Sequence, residues 1–535
     1  MHYIVQNCVL EFSLCSEKFY EDPFNEVELD VIFQGPNGSK RIVPAFWAGE
    51  NLWKVRFSTS TIGRYLYTTI CSDKENLTLH NQEGEVEVSP YQGKNPLLIH
   101  GPLRVSENRR YLEHIDGTPF FWLADTWWMG LCKRLTWPED FQVLTQDRVT
   151  KGFTVVQLIA GLYPDMPAFD ERGSNEAGFP WEKDYTRMNP AYFDMADLRI
   201  EHLIHSGLLP CIVGCWGYFL PWMGVEKMKK HWRYLIARYG AYPVVWCLAG
   251  EGIMPYYLST NKEKDIDIQK KGWTKIARYV RQIDPYHHPV TVHSVGWGYD
   301  LRELISLIDF DMPQTGHGDR DTIPNHVNTV VESVNRRPPL PVLVGEVCYE
   351  GIMGASWENI QRFMFWSSIL SGACGHTYGA NGIWQVNTYQ KPFGPSPHGR
   401  SWGDMAWEDA YQLPGSTQMG IAKRLLERYH WWELEPHPEW VKPHWDSKNY
   451  LACYAAGIPK ELRIIFIPVQ VGTPPIIKKL EPEVIYRAFY YDPRNGKEYS
   501  LGLVKPNTKG EWTTPLFPIF QDRILVLEKN NLSER

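Results

Sequence analysis

The stretch PVVWCLAGE (243–251), followed by IQKKGWTKIARYVRQID (268–284) and then PVTVH (289–293), decides the fold. Its outer pieces are short, apolar and free of polar alternation. Such runs read as strands buried on both faces, which is the habit of parallel strands covered by helices. The middle piece has helical length and period. Strand, helix, strand in this order is one βαβ unit.

The same unit repeats in both directions. Upstream, FFWLAD (120–125) precedes TWPEDFQVLTQDRVTKG (136–152), FTVVQLIA (153–160) precedes NPAYFDMADLRIEHLIHSG (189–207), and LLPCIVG (208–214) precedes WMGVEKMKKHWRYLIARYG (222–240). Downstream, the fifth helix is YDLRELISLI (299–308). DFDMPQ (309–314) then precedes TIPNHVNTVVESVNRR (322–337), PVLVGE (341–346) precedes SWENIQRFMFWSSILSG (356–372), and ACGHTYG (373–379) precedes STQMGIAKRLLERY (416–429). Thr136 is expected to cap the first helix, with Pro138 in its first turn, and Gly152 to end it. Eight such units are the number that closes a (β/α)₈ TIM barrel. A doubly wound open sheet is the alternative, but the first turn, LADTWWMG, lacks a glycine-rich phosphate loop.

The flanks read differently. VELDVIFQGPNGSKRIVPAFW (27–47), NLWKVRFSTSTIGRYLYTTICS (51–72) and EGEVEVSP (83–90) are short strands between turns. QGKNPLLIHGP (92–102) reads as a connection. After the barrel, NYLACYAA, ELRIIFIPV, VIYRAFYYDPRNGKEY, GEWTTPLF and DRILVLEK return to strands, with Asp492, Pro493 and Asn495-Gly496 marking a hairpin. The expected organisation of the 535 residues is therefore an α/β chain: a β-sandwich over 1–95, a (β/α)₈ catalytic barrel over 96–435 and a second β-sandwich over 436–535.

A formal charge of −7 gives no reason to expect nucleic acid or an anionic membrane as partner. No segment approaches the roughly 18 uninterrupted apolar residues of a membrane span, and the first residues lack a signal-peptide pattern. A cytoplasmic location is the resulting expectation. The ten cysteines are scattered without a CxxC pair and read as small buried hydrophobes. No cofactor is expected, and a homo-oligomer is left open. The marked compositional feature is aromatic: 23 Trp and 29 Tyr, many of them in loops, where such rings suit the apolar faces of sugars.

In a (β/α)₈ barrel the chemistry lies where strands end. The strand ends carry Asp125, Trp127 and Trp128 on the first, Gln157 on the second, Trp216 after the third and Glu251 on the fourth. The fifth gives His293 and the sixth Gln314 and His317. The seventh gives Glu346, Tyr349 and Glu350, and the eighth His376, Tyr378 and Trp384. Glu251 and Glu346 stand out, because each ends an apolar strand beside a glycine that admits close neighbours. Two carboxylates about 5 to 5.5 Å apart suit a retaining glycosidase, one as nucleophile and one as acid/base. The nucleophile needs hydrogen-bond donors to stay ionised, and Tyr349, His293, His317 and His376 are candidates. Asp125 reads as a sugar-hydroxyl acceptor or an orienting group. A metal site using these histidines and glutamates has no HxH or HExxH spacing behind it, so none is expected, and no GxSxG elbow supports a serine nucleophile.

FFWLADTWW, WCLAGE, MPQTGHG, LVGEVCYEG and GACGHTYGANGIWQ together resemble the apiosidase-like family of clan A (β/α)₈ glycoside hydrolases, over residues 100 to about 430. The flanks are similar to that family's partners, an N-terminal β-sandwich of undefined function and a C-terminal one often labelled collagen-binding. The resemblance implies a retaining mechanism with Glu251 as acid/base and Glu346 as nucleophile. It also implies a terminal β-linked apiofuranosyl residue as substrate, on plant glycosides or pectin-derived oligosaccharides. One departure stands out: clan A enzymes commonly carry Asn before the acid/base, to hold the sugar 2-hydroxyl, and here that residue is Gly250. Either another donor, such as Gln157 or His293, reaches this hydroxyl, or the sugar sits differently. A β-glycosidase of other furanoside or pyranoside specificity is the alternative, and a carbohydrate-binding protein on a barrel without activity is the non-enzyme alternative.

Overall fold

The computed structural model describes residues 1–293 and 301–530. Its centre is a parallel sheet of seven strands: Trp122–Thr126, Val155–Ile159, Leu209–Val213, Val245–Gly250, Val290–His293, Leu343–Val344 and Gly375–Tyr378. Along the sheet, the strand at Val290–His293 forms one edge and that at Leu343–Val344 the other. Every residue of these strands is buried, which explains their lack of polar alternation.

The gap between the two edges is filled by residues 309–314. They touch both sides through single parallel bridges, His293 to Met312, Asp311 to Val342 and Gln314 to Glu346. A full sixth strand was expected here. Pro313 has no N–H to give a ladder; its carbonyl instead accepts from Gly345 N at 2.9 Å. The barrel therefore closes through spot contacts on this side.

Helices cover the outside: Glu139–Lys151, Pro190–His205, Phe219–Tyr239, Lys262–Ile283, Ile323–Asn335, Glu358–Ile369 and Pro414–Leu426. The expected fifth helix shrinks to Arg302–Ile305, and its first two residues, Tyr299 and Asp300, lie outside the described residues. The first helix starts two residues later than expected. Pro138 occupies the cap position without a side-chain hydrogen bond, while Thr136 contributes its backbone, accepting from Phe141 N and donating to Asp140 Oδ2. Gly152 does end that helix, in the left-handed region.

Before the barrel, a five-stranded and a three-stranded sheet share one apolar core, with Phe33 of one stacked on Phe57 of the other at 4.0 Å. The connection at 92–102 contains a short helix, Pro96–His100, capped by Asn95. After the barrel comes a six-stranded sheet whose hairpin pairs Tyr491 with Glu498. Its period-two alternation serves two cores. Ile464, Phe466, Phe489, Tyr491, Ile524 and Val526 join the barrel core, while Ile465, Ile467, Tyr490, Leu525 and Leu527 point to the other face, under a small three-stranded sheet. No helix among the described residues is long and apolar enough to cross a membrane.

Candidate active site

Glu346 sits two residues beyond the seventh position's strand, Leu343–Val344, after Gly345. A Cβ on Gly345 would lie 2.5 Å from Met312 Cγ and 2.9 Å from His293 Nδ1. The glycine thus lets the fifth strand and the 309–314 segment press close, and their histidines reach the carboxylate. His293 Nε2 bonds Oε2 at 2.9 Å, His317 Nε2 bonds Oε1 at 2.8 Å, and Gln314 Nε2 donates to Oε1 at 3.3 Å. Burial alone would push this carboxyl up. The two histidine hydrogen bonds and the histidines' charge outweigh it and bring it down to about 2. His317 is pushed down by burial, but its bond to Glu346 raises it above the ordinary imidazole value.

Glu251 follows the fourth strand. The ladder to the fifth strand slips between Cys247 and Gly250, and Glu251 itself has φ 44°, so its side chain is re-aimed at the barrel mouth. Gly250 is dictated by packing: a Cβ there would lie 2.1 Å from the Trp216 ring. That leaves no space for the Asn common at this position. Glu251 is partly open to the pocket yet well removed from bulk water. Burial, then the negative charge of Glu346, push its carboxyl up to about 7. Gln314, which donates to Glu346, lines the pocket beside Glu251.

Both glutamates line one pocket at the barrel mouth. Trp128, Trp216, Tyr349, Trp384, Gln314 and His317 line it too. Trp128 Nε1 donates to the Tyr349 hydroxyl at 2.8 Å, and the Tyr349 ring is stacked between His317 at 4.8 Å and Trp384 at 5.7 Å. Burial and the Glu346 charge hold the Tyr349 phenol well above its ordinary value, so it keeps its proton. Flat aromatic walls around ionisable carboxyls match a sugar ring, with apolar faces and polar edges.

Other expected site residues lie elsewhere. Asp125 is fully buried, accepting from Trp127 Nε1 at 2.7 Å and paired with Arg148 Nε at 2.5 Å on the following helix. Trp127 faces Phe141 of that helix edge-on. Gln157 donates to Gly345 O at 2.9 Å, beneath the pocket. Glu350 accepts from the Tyr378 hydroxyl at 2.5 Å and from Gly415 N at 3.1 Å, on the outer side of the barrel. Burial pushes Glu350 up to about 7. His376 packs edge-on against Phe365, and burial takes it down to about 3. Of the expected set, Asp125, Trp127, Gln157, Glu350, His376 and Tyr378 are outside the pocket lining, and His293 stands behind it, against Glu346, Trp128 and Trp216.

The pocket also has members without a strand-end signal: Asp165, Tyr257 and Trp402. They stand on the loops after the second, fourth and eighth strands. The Pro-Asp-Met-Pro run at 164–167 was the one available hint.

Comparison with known proteins agrees with this geometry. The family described as "Apiosidase-like, catalytic domain" matches residues 106–433, and a domain of unknown function, DUF5060, matches residues 6–72. Among solved structures, one described as a glycoside hydrolase is 22% identical, with a TM-score of 0.65, covering 82% of this chain and 98% of its own. A glycoside hydrolase family 5 structure from Bacteroides vulgatus is also 22% identical, with a TM-score of 0.66, covering 82% of this chain and 95% of its own. A further Bacteroides vulgatus structure, 17% identical, has a TM-score of 0.69 over 99% of this chain and 100% of its own. These likenesses concern the fold. A search of curated proteins returns no match. The family match spans more than half of the chain and contains both pocket glutamates, so the protein belongs to the apiosidase-like family and has the (β/α)₈ barrel of a glycoside hydrolase.

Proposed function

We propose that the protein is a retaining exo-β-glycosidase that removes a terminal sugar, with β-apiofuranosyl as the leading candidate from the family match. The observation that carries the reading is one pocket lined by two carboxyls in contrasting surroundings, one of them gripped by two histidines. Glu346, kept ionised by His293 and His317, attacks the anomeric carbon. As the glycosidic C–O bond breaks, Glu251, kept protonated by burial and by Glu346, hands its proton to the leaving oxygen. The resulting Glu251 carboxylate takes a proton from water, whose oxygen attacks the same carbon. The bond to Glu346 breaks and Glu251 is protonated again.

The aromatic walls supply stacking surface for one ring. Nothing in the pocket selects apiose from other small neutral sugars by shape alone, so a panel of aryl and natural glycosides, apiosides included, identifies the sugar. On the best substrate, a 2-fluoro analogue should leave one sugar mass on the enzyme, on the peptide containing Glu346. Inverted product stereochemistry, or label on another residue, would refute the assignment. Glu251→Gln should slow substrates with poor leaving groups far more than activated aryl glycosides, by roughly 10²- to 10⁴-fold.

A further inference from the structure

A pocket without Asn before its acid/base needs another group to grip the sugar hydroxyls. Gln157 and His293 are both engaged, with Gly345 O and with Glu346. Asp165 is not. It stands on the loop after the second strand with φ 55° and is 6% exposed. Its Oδ1 is saturated, accepting from the Tyr257 hydroxyl at 2.5 Å and from Ser396 Oγ at 2.8 Å. Ser396 Oγ in turn accepts from Trp402 Nε1 at 3.0 Å. Three loops therefore converge to hold one carboxylate in a fixed, left-handed backbone position. Its Oδ2 has no hydrogen-bond partner among the described residues and is not sealed off, and Asp165 lines the same pocket as Glu251 and Glu346.

We propose that Asp165 is a specificity-determining residue whose Oδ2 accepts hydrogen bonds from hydroxyls of the bound sugar, and that it restricts the pocket to neutral glycosyl groups, excluding glycosiduronic acids. This rests on the glycosidase reading above. A carboxylate oxygen offers two lone pairs and no proton, so it fits hydroxyl donors and repels another carboxylate. The described lining contains no Lys or Arg, and its one histidine, His317, is already bound to Glu346. A uronate would thus enter beside Asp165 and Glu346 with no free cation to receive it, which is selection by repulsion as well as by fit.

The experiment compares wild type, Asp165→Asn and Tyr257→Phe on neutral aryl glycosides and on the matching aryl uronides, with melting temperature measured for each. Wild type should prefer the neutral series by at least about 100-fold in kcat/KM. Asp165→Asn should raise KM on the neutral substrate, lowering kcat/KM on the order of 10- to 100-fold, and narrow the gap to uronides. Tyr257→Phe, which loosens Asp165 but leaves Ser396 in place, should move both quantities the same way by a few-fold. Wild-type preference for uronides would overturn the inference while leaving the glycosidase reading intact. So would an Asp165→Asn variant with unchanged KM and preference, or one whose losses are equal on both series and accompanied by a lower melting temperature. If wild type hydrolyses no glycoside at all, the glycosidase reading itself falls. The inference is then decided by tryptophan-fluorescence titration with neutral monosaccharides and uronic acids, and tighter uronate binding overturns it.

Discussion

Glu251 and Glu346 are the same side chain with carboxyls near 7 and near 2, and the difference is made entirely by neighbours. This fixes the pH dependence. On the proposed mechanism turnover needs Glu346 ionised, which holds above about 2, and Glu251 protonated, which holds below about 7. The kcat/KM profile should therefore fall on its alkaline side through the loss of one proton near pH 7. Because Glu346's charge helps hold Glu251 up, Glu346→Gln should shift the Glu251 titration to lower pH, measurable by carboxyl-resolved infrared or NMR titration. An unmoved Glu251 would mean the two acids are not coupled. At this scale a polar residue ending an apolar strand marked a position in the pocket for Glu251, Glu346 and His317. At other strand ends the face was not legible. Asp125, His376 and Tyr378 stand on strands yet turn toward the helical layer, to Arg148, Phe365 and Glu350. In strands buried on both faces, polar and apolar no longer distinguish inside from outside. Asp165, Tyr257 and Trp402 escaped notice because irregular loops have no period from which a direction could be read.

Among the elements, the strand–helix alternation was legible because parallel strands covered on both sides must be continuously apolar. The 309–314 segment was expected as a full strand; it takes the sixth position through single bridges, because Pro313 has no N–H for a ladder. The clearest element-level contact is the ion pair between the first strand and its own helix, Asp125 with Arg148, both with 0% side-chain exposure. Arg148 also donates to Tyr411 O, tying in the long loop that follows the eighth strand. Arg148→Met should leave Asp125 buried without its cation and cost about 3 to 5 kcal/mol. Urea denaturation would check this, and a change under about 1 kcal/mol would show that Asp125 is neutralised some other way.

Over the whole molecule, the flanking domains are joined to the barrel by buried charge. On the N-terminal side, Asp197 of a barrel helix bonds both Arg56 Nη2 at 2.5 Å and Arg238 Nε at 2.9 Å. On the C-terminal side, Arg362 forms a two-pronged pair with Asp522, each contact at 2.7 Å. Asp522→Ala should strand the 4%-exposed Arg362 and lower stability by about 3 to 5 kcal/mol, seen as a drop in melting temperature and faster proteolysis around residue 436. Unchanged protease resistance would mean that apolar packing alone holds the sheet. That packing is extensive, since alternate residues of the six-stranded sheet belong to the barrel's own core. The family match stops at residue 433, but cohesion does not. A gene fragment cut at that point for screening or crystallisation would leave Phe363 without Phe466 and Tyr454 against its ring, and a greasy helix face in water. Clones meant to behave in solution should run through the last strand, to Lys529.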